Sequence, residues 1–211
     1  GGSVGKKTVA LITDMDRPLG RAIGNSLEIM EVISTLKGEG PKDLEELCLT
    51  LAANMIYLGE QANTLADAQK MAVAAMGSGA ALEKLSAMVF AQGGDPLYIQ
   101  EPSRFCLSKI RYDVKAPETG FLQKFNAESC GIAAMVLGAG RETKESIIDF
   151  GAGILLEKNV GDAVRQGEVL ATLYADSTEK CKAAEKILLA ALTLGRDVHE
   201  AHPLIYKRIE K

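Results

Sequence analysis

The sequence predicts an α+β chain in two parts, a helix-rich stretch over residues 1–101 and a mixed α+β stretch over residues 102–211. Three observations predict it. One short apolar run opens the chain, apolar residues then recur at helical spacing from Leu19 to Gln92, and beyond Ser103 the apolar runs shorten and are bounded by glycine. The length of 211 residues accommodates two small domains. Residues 95–103, with two prolines and no clear period, place the boundary.

Residues 8–13 are β-branched and apolar without interruption, which reads as a buried strand of a parallel sheet. Leu19, Ala22, Ile23, Leu27, Met30 and Ile33 predict a helix over residues 19–36, with Pro18 beside its first turn and Lys37-Gly38 closing it. Asp43 is expected to cap a second helix through Leu58, whose stripe includes Leu44, Leu47, Leu51, Met55 and Leu58. Thr64 is expected to cap a third helix through Met76, and a fourth runs from Ala80 to Gln92, where Gly93-Gly94 ends it. In the second part, strands are expected over residues 110–115, 120–125, 133–137, 169–174 and 203–209, and a helix over residues 178–194.

The net charge of −4 and a pI near 5.4 describe a mildly acidic chain with no basic field to attract a phosphate backbone, which disfavours nucleic acid as a partner. No apolar run approaches the roughly 18–20 residues that span a bilayer, and the first residues lack the pattern of a signal peptide. The expectation is a cytoplasmic protein with no membrane partner. Cys48, Cys106, Cys130 and Cys181 stand far apart and none belongs to a CxxC pair, so reduced and mostly buried thiols are expected.

Four motifs invite chemical readings. His199-Glu200-Ala201-His202 could seed a metal site, but with no other histidine and a proline following, a solvated tail is the better reading. Cys106 and Cys130 lack a neighbouring base and read as packing residues rather than nucleophiles. Gly138-Ala139-Gly140 lacks the third glycine of a dinucleotide loop and reads as a turn. Asp14-Met15-Asp16-Arg17-Pro18, between a strand and a helix, places polar groups where open α/β proteins bind ligands, although from the residues alone turn and helix-dipole acids are the better reading of Asp14 and Asp16.

Two resemblances go further. Residues 114–120 together with residues 160–170, which hold Gly161 and Gly167, resemble the folded-over barrel of biotin and lipoyl carrier domains, which leaves a non-enzymatic carrier-like or accessory module as the alternative reading. A carrier needs a modified lysine soon after the second glycine turn, and Leu173-Tyr174-Ala175-Asp176-Ser177 has none. The longer resemblance is carried by ITDMDRPLGRAIGNSLEIMEV, LKGEGPKDLEELCLTLAANM, GSGAALEKLSAMVFAQGGD and GIAAMVLGAGRETKESIIDFGAGILLEKNVGDAVRQGEVLATLY. These stretches are collinear with, and similar to, the pyrimidine-nucleoside (thymidine) phosphorylases.

That resemblance implies a pentosyltransferase that cleaves thymidine or uridine reversibly with phosphate as co-substrate, giving free base and a pentose 1-phosphate, and it implies a homodimer. Residues 1–101 would be the helix-rich C-terminal part of an α/β phosphorylase domain, holding one of its strands. Residues 102–211 would be the hammerhead-like, barrel-sandwich-like C-terminal α+β domain. The resemblance places the family's phosphate loop, K-x-S-T-G-G-V-G-D, and its pyrimidine-binding arginine and S-x-x-x-K ahead of the matched stretches. No Ser-Thr-Gly-Gly occurs in the 211 residues, so the chain is expected to be inactive alone. By position the resemblance implies a potassium or calcium site with the carbonyls of Leu19 and Ala22 and the carboxylate of Glu31 as ligands. Those are hard oxygen donors, suited to such ions. In an unbroken helix Glu31 would lie roughly 18 Å beyond Leu19, so the ligand set requires the chain to be irregular around residues 19–24.

Overall fold

The computed structural model describes residues 1–141, 143–198 and 202–210. The chain opens with β1 (Val9–Thr13), β2 (Ala22–Ile23) and α1 (Asn25–Leu36), followed by α2 (Lys42–Leu58), α3 (Leu65–Gly77), α4 (Ala80–Ala91) and the single turn α5 (Leu97–Gln100). Then come β3 (Ile110–Lys115), β4 (Gly120–Phe125), α6 (Ala127–Leu137), β5 (Gly153–Leu156), β6 (Ala163–Val164) and β7 (Val169–Ala175). The last elements are α7 (Thr178–Ala191), β8 (Leu192–Gly195) and β9 (Ile205–Glu210). No single helix among the described residues is long and apolar enough to cross a membrane. The chain forms two compact units: one of Gly1–Asp14, Val32–Pro102 and Pro203–Lys211, the other of Met15–Glu31 and Ser103–His202.

In the first unit β1 pairs antiparallel with β9, Val9 opposite Glu210 and Thr13 opposite Ile205. The expectation of a buried parallel strand does not hold here. β1 has one hydrogen-bonding neighbour, and its exposure alternates along the strand because successive side chains point to opposite faces. β9 is held to α2 by Arg208, whose Nε donates to Asn54 Oδ1 at 2.7 Å and whose guanidinium lies 5.8 Å from the Tyr57 ring centre. Arg208 Nη1 also donates to Glu210 Oε2 at 2.7 Å, a bond that holds the Glu210 carboxyl below the usual carboxylate range.

α2 packs on α3, and α3 on α4. Thr64 caps α3 as expected, its side chain accepting from Asp67 N at 3.1 Å. Asp43 does not cap α2. Pro41 occupies that position with no side-chain bond, because its fixed φ suits the entry, and Asp43 Oδ1 accepts from Leu44 N at 2.9 Å.

The second unit has a four-stranded sheet in the order β2-β5-β7-β3 and a three-stranded sheet in the order β6-β4-β8, with every pairing antiparallel. α6 and α7 pack on each other, and Val114, Leu122, Leu137, Ile154, Leu173 and Leu188 are fully buried in the shared core.

Four further expectations change. Residues 133–137 are helix, not strand. Asn126 Oδ1 accepts from Ser129 N at 2.8 Å to start α6, Gly138 ends it with φ of 111°, and a short alanine-rich run is ambiguous by pattern alone. The helix expected to run to residue 194 stops at Ala191, because Leu192–Gly195 is claimed by pairing with β4. α1 starts at Asn25 rather than Leu19, since Ala22 and Ile23 pair with Leu155 and Ile154. Cys130 and Cys181 are buried but Cys48 and Cys106 are exposed, which halves the set of thiols expected inside.

The β2–β5 pairing depends on two glycines. A Cβ on Gly24, which has φ of 133°, would stand 2.5 Å from the Ala152 carbonyl oxygen and 2.9 Å from Gly153 Cα. Gly24→Ala is therefore expected to destabilise the second unit by about 2–4 kcal/mol, read as a lowered thermal midpoint with the α2–α4 helical signal retained. A thiol count makes a second check: burial pushes the Cys130 thiol up to about 12, so alkylation at pH 8 should label Cys48 and Cys106 in the native chain. All four cysteines should be labelled after denaturation.

Candidate functional site

The segment from Met15 to Glu31 is built by backbone contacts of the second unit. Asp16 carbonyl accepts from Ala127 N at 3.2 Å, and Arg17 Nη2 donates to the His202 carbonyl at 3.0 Å. Arg21 carbonyl accepts from Leu156 N at 2.8 Å as the chain enters β2. Gly20, with φ of 69°, turns the chain before that strand, a conformation that favours glycine.

The start of α1 is satisfied by side chains and a loop. Glu28 Oε1 accepts from Gly24 N at 2.9 Å, Phe150 carbonyl accepts from Ser26 N at 3.1 Å, and Asn25 Nδ2 donates to the Ala139 carbonyl at 3.0 Å. A helix leaves its first N–H groups without intrahelical partners, and here the Phe150 carbonyl takes that of Ser26 while Glu28 takes that of Gly24 just ahead of the helix.

With residues 19–24 out of the helix, the geometric obstacle to bringing Leu19, Ala22 and Glu31 together disappears. Glu31 reaches back from the second turn of α1, and its Oε1 accepts from Arg21 N at 2.9 Å and Ala22 N at 3.1 Å. Its other carboxylate oxygen faces Gly20, where a Cβ would collide with it. Ala22 lies on an edge strand and sends its N–H to Glu31 instead of to β5. In an antiparallel pair the N–H and C=O of one residue point the same way, so the Ala22 carbonyl also faces away from β5.

The Glu31 carboxylate is a hard oxygen donor, as are the backbone carbonyls of the segment it holds, and potassium and calcium take donors of that chemistry. Among the described residues no group of three or more His, Cys, Asp or Glu could hold a metal. In His199-Glu200-Ala201-His202, the first three residues lie outside the described residues.

The two glycine turns form a second constellation. Residues 159–162 and 165–168 are the same device twice. Asp162 N and Glu168 N donate to the carbonyls of Asn159 and Arg165 at 3.0 and 2.9 Å. The acids at the fourth positions accept in return from Asn159 N at 2.7 Å and Arg165 N at 2.9 Å. Gly161 and Gly167 sit third, with φ of 98° and 82°, as type II turns require.

These turns clasp the β3–β4 connection: Gly167 N donates to the Ala116 carbonyl at 2.9 Å and Gly161 N to the Leu122 carbonyl at 2.7 Å. Beside them is an open groove of about 920 Å³ lined by Thr119, Phe121, Arg165, Gln166 and Arg196. Leu173 to Ser177 does not form an exposed hairpin tip. Leu173 and Ala175 are buried in β7, and Ser177 caps α7, accepting from Lys180 N at 3.4 Å.

Sequence reasoning missed Gly20, Gly24 and Gly153 as the residues that shape the Glu31 site. The spacing of two glycines in PLGRAIGN was the available signal, and the helical stripe through Leu19, Ala22 and Ile23 obscured it. If Glu31 organises this backbone, Glu31→Ala should speed hydrogen exchange at Arg21 and Ala22 amides by about tenfold or more. Glu31→Gln, which keeps an acceptor, should leave them protected.

The comparisons with known proteins agree with this architecture. The pyrimidine nucleoside phosphorylase C-terminal domain matches residues 121–195, and the glycosyl transferase family a/b domain matches residues 2–82. The chain is 45% identical over 213 aligned positions to the pyrimidine-nucleoside phosphorylase of Geobacillus stearothermophilus, covering 99% of this chain and 48% of that relative. It is 44% identical over 187 positions to that of Staphylococcus aureus (strain USA300), covering 89% of this chain and 43% of the relative. For the Staphylococcus epidermidis protein of that name the figures are 46% over 179 positions, 85% and 41%. The chain thus spans about half the length of the curated relatives it matches. With both domain matches in chain order and 45% identity across 99% of the chain, the chain belongs to the pyrimidine-nucleoside phosphorylase family.

Proposed function

We propose that these 211 residues form one half of a pyrimidine-nucleoside phosphorylase. The reaction breaks the bond between the pentose anomeric carbon and a pyrimidine nitrogen and forms a bond from that carbon to a phosphate oxygen. Free base and pentose 1-phosphate result, and the reverse transfer is equally available. The observation that carries this reading is 45% identity across 99% of the chain to a relative of that name.

In this reading the chain supplies the wall of the site built around Gly20 to Glu31. The carboxylate of Glu31 and the carbonyls of Leu19 and Ala22 would supply part of the ligand set of a potassium or calcium ion. The remaining ligands would be a glycine carbonyl and a threonine hydroxyl of the phosphate loop, so the 211 residues alone should bind the ion weakly or not at all. A cation there would offset phosphate charge. The chain's own part is to place one negative charge and two carbonyl dipoles on a backbone fixed by the N–H bonds of Arg21 and Ala22 to Glu31. Further features of the reading are a homodimer in the cytoplasm, with no nucleic-acid or membrane partner.

No Ser-Thr-Gly-Gly of the K-x-S-T-G-G-V-G-D loop occurs in the 211 residues, so in this reading the phosphate contacts come from other polypeptide. Incubated with thymidine and phosphate, the chain should release no thymine by chromatography. Co-expressed with the unmatched half of the Geobacillus stearothermophilus relative, it should gain phosphate-dependent release. Release by the chain alone at a rate typical of whole enzymes would overturn the proposal that it is a half.

A further inference from the structure

The first unit is short of core. Its buried apolar residues, among those described, are Ile33, Ala53, Ala68, Ala72, Ile99 and Leu204, and three of these six are alanine. The contiguous buried cluster of nineteen residues lies wholly in the second unit. Large apolar side chains of the first unit stand in solvent instead, with Met55 73% and Phe90 71% exposed.

The exposure on α2 is ordered. Leu44, Cys48, Leu51, Met55 and Leu58 follow alternating steps of four and three, which sets them along one line of the helix. None of the five is buried, and Leu51 is 45% exposed. Ala53, 1% exposed, falls on the opposite face. A helix apolar on opposite faces is covered on both in a finished fold. In the same unit β1 and β9 form a two-stranded ribbon that no further strand joins among the described residues, an arrangement with little stability of its own.

We infer that the Leu44–Cys48–Leu51–Met55–Leu58 stripe of α2 is a docking face for the polypeptide that makes up the other half of the relatives' length, whether continuous with this chain or separate. The inference rests on the reading of the chain as one half of a phosphorylase. The match runs through α2 and accounts for 48% of the Geobacillus stearothermophilus relative, so a comparable amount of chain is available to cover it. A second copy is the weaker occupant: α2 carries Asp43, Glu45 and Glu46 against the single basic residue Lys42, and a like-charged copy offers no complement.

The test co-expresses the 211-residue chain with the unmatched half of the Geobacillus stearothermophilus relative and measures capture and affinity. Leu51→Asp and Met55→Asp alter exposed positions, so each variant chain should keep its circular dichroism and melting temperature. Each should weaken association by about a hundredfold. Lys84→Glu, an exposed change on α4, should not weaken it. Equal capture of the aspartate variants and the parent overturns the inference, as does a self-dimer that Leu51→Asp dissociates.

A complex that is sensitive to these changes yet releases no thymine leaves the docking face standing and removes the proposed activity. If the unmatched half does not fold when co-expressed, the same aspartates at the aligned positions of the intact relative decide the matter. A melting temperature lowered by several degrees supports a buried stripe, and an unchanged one overturns it.

Discussion

Two backbones meet at Gly24 and Gly153 with no side chain between them, and the arrangement of the candidate site follows from that approach. The pairing of β2 with β5 is only two residues long, too short to persist on its own ladder bonds. It is possible because Gly24 can adopt a positive φ and because neither glycine presents a Cβ to the facing carbonyls of Ala152 and Ile23. Once Ala22 and Ile23 are in the sheet, they cannot be in the helix. α1 then begins at Asn25, and Glu31 comes within reach of the segment that precedes its own helix.

The glycine turns at residues 159–168 apply the same exchange of side chain for backbone contact. Each turn is closed by its own acid, and each then contributes a glycine N–H to the strand connection between Ala116 and Leu122. Lys158 adds a bond to Glu168 at 2.6 Å, which holds that carboxyl below its ordinary range. The pair is partly exposed, and its value lies in fixing the turn more than in Coulomb energy. The chain past this clasp runs from buried β7 into α7 instead of to an exposed tip.

Local signals made much of this fold legible. The strands β3 and β4 and the cap of α3 by Thr64 follow from short-range chemistry: glycine bounds, β-branched runs and a hydroxyl placed to accept an N–H. Features set by distant partners were not legible. The partner of β1 lies at the other end of the chain, β2 and β8 exist because β5 and β4 receive them, and a stripe at helical spacing through Leu19, Ala22 and Ile23 concealed a loop. Glu31 could be named through family resemblance. That its carboxylate also organises the Arg21 and Ala22 amides is a property of the folded loop, and no local pattern encodes it.

The uneven distribution of core has a consequence for the proposed site. Local stability follows buried apolar contact, and the second unit holds the nineteen-residue cluster while the first holds six scattered buried apolar residues. The Gly20–Glu31 wall belongs to the better packed unit and draws its hydrogen bonds from within it. The bonds from the Arg21 and Ala22 amides to Glu31 are therefore more firmly held than α2 and the β1–β9 ribbon, whose unit buries little apolar surface.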